Sequence, residues 1–245
     1  MTDNTAQNNT FDFKQAFRSV SQSDRRRAVN FLGAAGVTLA VLLLSRILWL
    51  FEPILDLIYY GTLSEIIYYI VLGVLFTVYI VCLNVYLKRT SDERMFLPNK
   101  EPLSLTRLLI IVAIGAVTVF ITAAVFKFKL KVQLEMGTGV TMATALTNIA
   151  VYFYYAFHLW LGLTAAELVR RGLTILLPSK HPVPWGALFL VAVFGVFELI
   201  FELGTTTHMY PWLYFFFTFA YAAIFEASDH RYHVTYWASI IIMVL

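Results

Sequence analysis

Apolar runs follow one another along most of this chain, and most of them are long enough to cross a lipid bilayer. A transmembrane helix needs about 20 apolar residues, because each residue adds ~1.5 Å and the hydrocarbon core is ~30 Å thick. We predict spans at residues 29–51, 63–87, 106–126, 141–177, 185–203, 209–226 and 232–245. The composition agrees, since 60% of the residues are hydrophobic and 13% are charged. The sequence predicts an all-α, polytopic membrane helix bundle with about seven transmembrane helices.

The basic residues orient this predicted bundle, because Lys and Arg are retained on the cytoplasmic side during insertion. With a cytoplasmic N-terminus, most of the 18 basic residues fall inside, including the cluster at residues 25–27. Only Lys127, Lys129 and Lys131 are then placed on the outside, apart from Arg46 within the first span. We therefore predict a polar cytoplasmic tail at residues 1–28 and a transmembrane domain at residues 29–245. In a bacterial cell this membrane is the plasma membrane.

The charge distribution excludes several classes of protein. The net charge of +3 is concentrated beside the predicted spans, instead of on one basic face with interleaved aromatic residues, so we predict no nucleic-acid partner. Such basic clusters contact anionic lipid, and the lipid bilayer is the first predicted partner. The chain has no GxSxG, HExxH, P-loop or GxGxxG motif, and we predict no cofactor.

Ionisable side chains in or beside the predicted spans are the candidate functional residues. A charged group costs about 2.5–3.5 kcal/mol at the centre of a bilayer, so each one is expected to have a partner or a function. Arg171 follows Glu167 by one helical turn, and this spacing predicts a structural ion pair. His230 and His233 lack further identifiable ligands, so we predict no metal site. The full set is His158, Glu167, Arg170, Arg171, Glu198, Glu202, Glu226, Asp229, His230 and His233.

Three motifs in the second half of the chain occur in the order and spacing of a known family. They are Ala166-Glu167-Leu168-Val169-Arg170-Arg171-Gly172, Phe194-Gly195-Val196-Phe197-Glu198 and Tyr236-Trp237-Ala238-Ser239-Ile240-Ile241-Ile242-Met243. They resemble the Glu-Glu-x-x-x-Arg-Gly, Phe-x-x-x-His and His-x-x-x-Asn-type motifs of the CPBP intramembrane proteases, the CAAX-protease and bacteriocin-processing group. The resemblance covers about residues 155–245 and implies a CPBP-like core at about residues 141–245.

Three positions depart from the family's pattern. In the family, the first Glu of the pair and two His residues activate water for attack on a peptide bond, and here those positions hold Ala166, Glu198 and Met243. Alanine has no acid/base group, and a thioether takes up no proton at neutral pH. The resemblance therefore implies a pseudoenzyme that keeps the scaffold and the Glu167–Arg171 pair. Such a protein would bind another membrane protein or a hydrophobic peptide as a scaffold, regulatory or immunity-type partner.

Two alternatives stay open. The first is an active CAAX-type protease in which Glu167, Glu198 and His233 act as acid/base groups or metal ligands. The second is a small transporter or channel subunit in which Glu198, Glu202 and Glu226 form a polar path. The family reading requires Ala166, Glu167, Arg171, Glu198 and Met243 to converge on one cavity.

The predicted orientation can be tested by cysteine accessibility after the single native cysteine is replaced (Cys82→Ser). Lys129→Cys is expected to react with a membrane-impermeant maleimide added to intact cells. Lys88→Cys is expected to react only after permeabilisation, because it lies on the opposite side. Labelling at position 88 in intact cells, with position 129 protected, would reverse the orientation.

Overall fold

The computed structural model describes residues 20–49, 62–91, 102–125, 142–178, 183–196 and 211–244. All regular secondary structure in these ranges is helical, which confirms the predicted all-α fold for this part of the chain. The helices are α1 (Gln22–Trp49), α2 (Thr62–Ser91), α3 (Leu105–Val125), α4 (Met142–Leu176), α5 (Trp185–Phe189), α6 (Pro211–Ala227) and α7 (Tyr232–Val244). α5 continues directly into a π-helical segment, Leu190–Gly195.

Four of the described helices, α1 to α4, are long and apolar enough to cross a membrane. α5 with its π-helical continuation, α6 and α7 are apolar but shorter. The helix bounds agree with the predicted spans to within a few residues in most places, and the predicted fifth span extends beyond the described residues. These lengths and compositions indicate a membrane protein.

α1 begins at Gln22, inside the segment that the sequence analysis assigned to the polar tail. Ser21 caps the helix, because its Oγ accepts a hydrogen bond from the backbone nitrogen of Asp24 at 3.1 Å. The same hydroxyl donates to Asp24 Oδ2 at 2.7 Å. The basic cluster at residues 25–27 therefore belongs to the first turns of α1.

α4 lies at the centre of the bundle. It packs against α1, α2, α5 and α7, and every residue from Leu161 to Leu168 is buried. This stretch of α4 is buried on all sides, so it is surrounded by other parts of the bundle instead of lipid. One core cluster joins three helices through Phe31, Ala34 and Ala35 of α1, Leu83 and Leu87 of α2, and Leu168 of α4.

α6 is a second centre of packing, in contact with α3, α5, the π-helical segment and α7. The outer faces of the bundle are also apolar. Val74 and Val78 of α2, and Leu109 and Val112 of α3, are each more than half exposed. Soluble proteins rarely expose continuous apolar surface of this kind, and these faces are suited to contact with lipid.

The close approach of α1 to α4 depends on Gly172. A Cβ added there would lie 2.7 Å from Leu32 Cγ and 3.2 Å from the backbone oxygen of Ala28. We expect Gly172→Ala to force the two helices apart and to lower the free energy of unfolding by about 1–3 kcal/mol. Thermal unfolding of the detergent-solubilised protein measures this difference.

Gly36→Ala on α1 is the matched control, because no atom lies within 4 Å of its added Cβ. It is expected to leave stability unchanged or to raise it, since Ala favours a helix over Gly by about 1 kcal/mol. Equal unfolding temperatures for Gly172→Ala and the unmodified protein would contradict the assigned role of Gly172.

Candidate functional site

Glu167 lies in the buried centre of α4 and is only 2% exposed. Arg170 Nε is 2.7 Å from Glu167 Oε2, and Arg170 Nη2 is 2.8 Å from Oε1. Arg171 Nε is 2.6 Å from the same Oε1. Both carboxylate oxygens therefore accept charge-assisted hydrogen bonds from guanidinium groups. The Arg170 partner was missed in the sequence analysis, although i and i+3 also share a helix face.

The hydrogen bonds from Arg170 and Arg171 limit what the Glu167 carboxylate can do chemically. A general base needs an oxygen that is positioned to accept a proton from substrate or water. Here both oxygens already accept hydrogen bonds from two arginines, whose side chains are 24% and 26% exposed. The arrangement is suited to holding a charge inside the helix bundle.

Ala166, the neighbour of Glu167, is completely buried in an apolar cluster. The other buried members of this cluster come from α4 itself, the π-helical segment, α6 and α7: Leu163, Leu190, Ala222, Phe225 and Tyr232. The backbone of α5 approaches closely at Gly186, where an added Cβ would lie 3.1 Å from the oxygen of Ala166. The side chain at this motif position is therefore surrounded by packed apolar groups.

Met243 lies near the C-terminal end of α7, whereas the contact with α4 is made at the start of α7. Tyr232, at the start of α7, donates a hydrogen bond from its hydroxyl to the Trp160 oxygen of α4 at 2.9 Å. Ile242, next to Met243, lies 3.7 Å from a Cβ built at Gly115 of α3. About 16 Å of helix separates Tyr232 from Met243, at ~1.5 Å per residue. Ala166 and Ile242 belong to different packing clusters.

The connection between α6 and α7 carries several of the predicted ionisable residues. His230 Nε2 lies 3.1 Å from Glu226 Oε2, and Asp229 Oδ2 lies 2.8 Å from Arg107 Nη1 on α3. Arg170 also interacts electrostatically with Glu226 and Asp229. A charged cluster, defined here as Glu167, Arg170, Arg171, Arg107, Glu226, Asp229 and His230, thus joins α3, α4 and the α6–α7 connection.

The α6–α7 turn has a left-handed backbone at two consecutive residues, since φ is 59° at both Asp229 and His230. This region is disfavoured for residues with a side chain, and Asp tolerates it better than most. Two hydrogen bonds hold the turn, from Asp229 N to Glu226 O and from His230 N to Phe225 O, each at 3.0 Å. These bonds also satisfy carbonyl groups at the end of α6.

The hydrogen bond from Arg107 holds the pKa of Asp229 below its usual value, and the positive charge of Arg107 acts in the same direction. A carboxyl with a lowered folded-state pKa stabilises the fold above its unfolded pKa of about 3.9, and this contribution is lost as the pH falls through the folded pKa. The bridge therefore operates at neutral pH and is lost in strong acid. Its contribution is small, because the Asp229 side chain is 54% exposed.

The remaining predicted residues are not assembled into one site by the described structure. The His158 ring lies 5.7 Å from that of Tyr154 and 6.3 Å from that of Phe194, and the His233 ring lies 6.1 Å from that of Tyr232. Within the described residues, no group of three or more His, Cys, Asp or Glu is close enough to hold a metal ion. Glu198 and Glu202 lie outside the described residues, so the convergence of the five motif positions stays a prediction.

Glu167→Gln is expected to lower the free energy of unfolding by about 3 kcal/mol, because removing one partner of a buried ion pair leaves charge uncompensated. Arg171→Gln should cost less, since Arg170 still contacts both oxygens. Thermal unfolding in detergent at neutral pH compares the variants. Asp229→Asn, which removes an exposed bridge, is the control and should cost less than about 1 kcal/mol. A Glu167→Gln variant as stable as the unmodified protein would contradict the structural role.

No family model, curated protein or solved structure matches the chain, so the resemblance to the CPBP proteases that the three sequence motifs suggest stays a prediction.

Proposed function

We propose that this protein is a non-catalytic membrane protein that binds another membrane protein or a hydrophobic peptide as a scaffold, regulatory or immunity-type partner. In this proposal it is a degenerate relative of the CPBP intramembrane proteases. It has seven membrane-spanning helices and a cytoplasmic N-terminus in the plasma membrane. The observation that carries the proposal is the occupation of both Glu167 oxygens by Arg170 and Arg171.

Two adjacent positions of the first motif support a non-catalytic role. The position that performs acid/base work in the family is held by Ala166, whose methyl group is packed among apolar side chains. The carboxylate beside it is engaged by two guanidinium groups. Protonation of Glu167 would neutralise the carboxylate that three guanidinium hydrogen bonds compensate, and this pairing opposes general-base work at this position.

A scaffold role also fits the way in which the bundle is held together. The charged cluster connects three helical elements, and the apolar clusters around α4 are closely packed. A binding protein needs a stable surface more than a water-filled cavity with mobile acid and base groups. Partner recognition would then take place on the apolar outer faces of the helices, where α2 and α3 expose most of their valine and leucine side chains.

The catalytic half of the proposal is tested with purified protein in proteoliposomes. We expect no cleavage of prenylated CAAX-type peptides or of hydrophobic helical peptides, whether the protein is unmodified or carries Glu198→Gln. Metal analysis of the same preparation should find no stoichiometric zinc. Cleavage that is lost in Glu198→Gln, or in Glu167→Gln with its fold intact, would overturn the proposal in favour of a protease with altered catalytic residues.

The binding half is tested by purification from native membranes in several mild detergents. We expect one integral membrane protein to co-purify at constant stoichiometry, and a tag on that protein to recover this chain in return. Recovery of the chain alone in every detergent would contradict the proposal. Solute or ion flux in proteoliposomes that is reduced by Glu226→Gln would favour a transporter or channel subunit instead.

A further inference from the structure

A cleft of about 820 Å³ opens between the first turns of α1 and the last turn of α2. Three arginines line it, Arg26 and Arg27 from α1 and Arg89 from α2. No Asp or Glu is among the lining residues in the part of the chain that the structure describes. Asp24, which is near in sequence, is hydrogen-bonded to Ser21 outside the lining. The cleft shares no residue with the charged cluster around Glu167.

The arginine and hydroxyl side chains that line the cleft are of the types that bind phosphate groups in proteins. Guanidinium groups bind phosphate through two parallel hydrogen bonds, and three arginines line this cleft. The N-terminal end of α1 adds the positive end of its helix dipole. The Ser91 Oγ atom, which also lines the cleft, is buried and has no hydrogen-bond partner within the described residues. A phosphate oxygen would satisfy this donor.

Apolar strips run from the cleft along both helices. On α1, Asn30 lines the cleft, and Val37 and Leu44 follow at intervals of seven residues, each 54% exposed. On α2, Arg89 lines the cleft, and the exposed Cys82 and the half-exposed Leu75 follow at the same interval. Residues seven apart lie on nearly the same face of an α-helix. The faces that begin at the arginines therefore continue as apolar surface.

We propose that this cleft binds the phosphate headgroup of an anionic phospholipid, with an acyl chain lying along the faces of α1 and α2 that carry Val37, Leu44 and Leu75. The arginines distinguish an anionic lipid from a zwitterionic one, because the choline of the latter would bring a positive charge toward them. The apolar strips distinguish a lipid from a free phosphate, because a free phosphate has no acyl chain that could pack against them. The site lies at the basic ends of two membrane-spanning helices, at the level that headgroups occupy.

Native mass spectrometry of the full-length protein in detergent tests this inference with three probes: dioleoyl phosphatidylglycerol, dioleoyl phosphatidylcholine and inorganic phosphate. We expect saturable binding of one phosphatidylglycerol and at least about tenfold weaker binding of phosphatidylcholine. Arg89→Gln should weaken phosphatidylglycerol about tenfold, whereas Lys88→Gln, which removes the same charge from the adjacent residue outside the cleft lining, should change it less than about twofold. The triple variant Arg26→Gln, Arg27→Gln, Arg89→Gln should lose saturable binding.

A second measurement uses the native Cys82 as an attachment point for a benzophenone maleimide. Because Cys82 lies about 10 Å along α2 from Arg89 at ~1.5 Å per residue, the probe is expected to crosslink to the bound acyl chain. The crosslink should be absent in the triple variant. Elution volume and thermal unfolding without lipid establish that each variant is folded, and Arg89→Lys, which keeps the charge but loses the paired hydrogen bonds, provides a milder substitution if Arg89→Gln is unstable.

Three results would overturn the proposal. Equal weakening by Arg89→Gln and Lys88→Gln would mean unspecific attraction between lipid and clustered charge. Competition by inorganic phosphate at concentrations similar to those of the lipid would identify a site for a free anion. Absence of saturable phosphatidylglycerol binding to the unmodified protein would exclude a lipid site altogether.

Discussion

The fold is organised around a carboxylate that has been carried into the centre of the bundle on α4. An ionised side chain at such a position is stable only when it is paired and hydrogen-bonded. Glu167 meets this requirement with partners from its own helix, so the pairing forms with the helix and needs no other element to be in place. The two arginine side chains keep about a quarter of their surface exposed, whereas that of Glu167 is 3% exposed. The ion pairs therefore hold a charge inside the bundle without burying both partners completely.

Polar contacts then join the helices that surround α4. Tyr79 and Thr38 form a hydrogen bond of 2.7 Å between α2 and α1, and Tyr68 donates to the Ser45 oxygen at 3.0 Å. On the other side, Tyr232 connects α7 to α4, and Arg107 connects α3 to the α6–α7 turn. Each such bond contributes only about 0.6 kcal/mol on average within a membrane. Their joint effect is to select one arrangement among the many that apolar packing alone would permit.

Most helix positions could be predicted because hydropathy is a property of contiguous residues. The start of α1 could not be predicted in this way, because residues 22–27 are polar. They become helical through the Ser21 cap and their continuity with the apolar part of the helix. The Glu167–Arg171 spacing was visible in the sequence because it is local, and Arg170 was equally visible. The bridge from Arg107 to Asp229 joins residues far apart in sequence, and hydropathy carries no information about such pairs. The burial of Ala166 could not be predicted for the same reason, because the residues that pack in its cluster come from α5, the π-helical segment, α6 and α7, which are distant from it in sequence.

The π-helical segment at Leu190–Gly195 has a consequence for this region of the chain. A π-helical turn holds one more residue than an α-helical turn, and it behaves as a single-residue insertion that the helix has absorbed without breaking. The residues on its two sides are therefore rotated relative to one another by about 100° compared with an uninterrupted α-helix. A Cβ built at Gly162 of α4 would lie 3.4 Å from the Phe194 ring, and a Cβ built at Gly195 would lie 3.1 Å from the Phe215 ring of α6, so both neighbouring helices approach this widened turn closely. A helical wheel drawn through Trp185 and Val196 would assign the wrong neighbours to one of them, so alignments of this span by i+4 spacing need to allow for one extra residue.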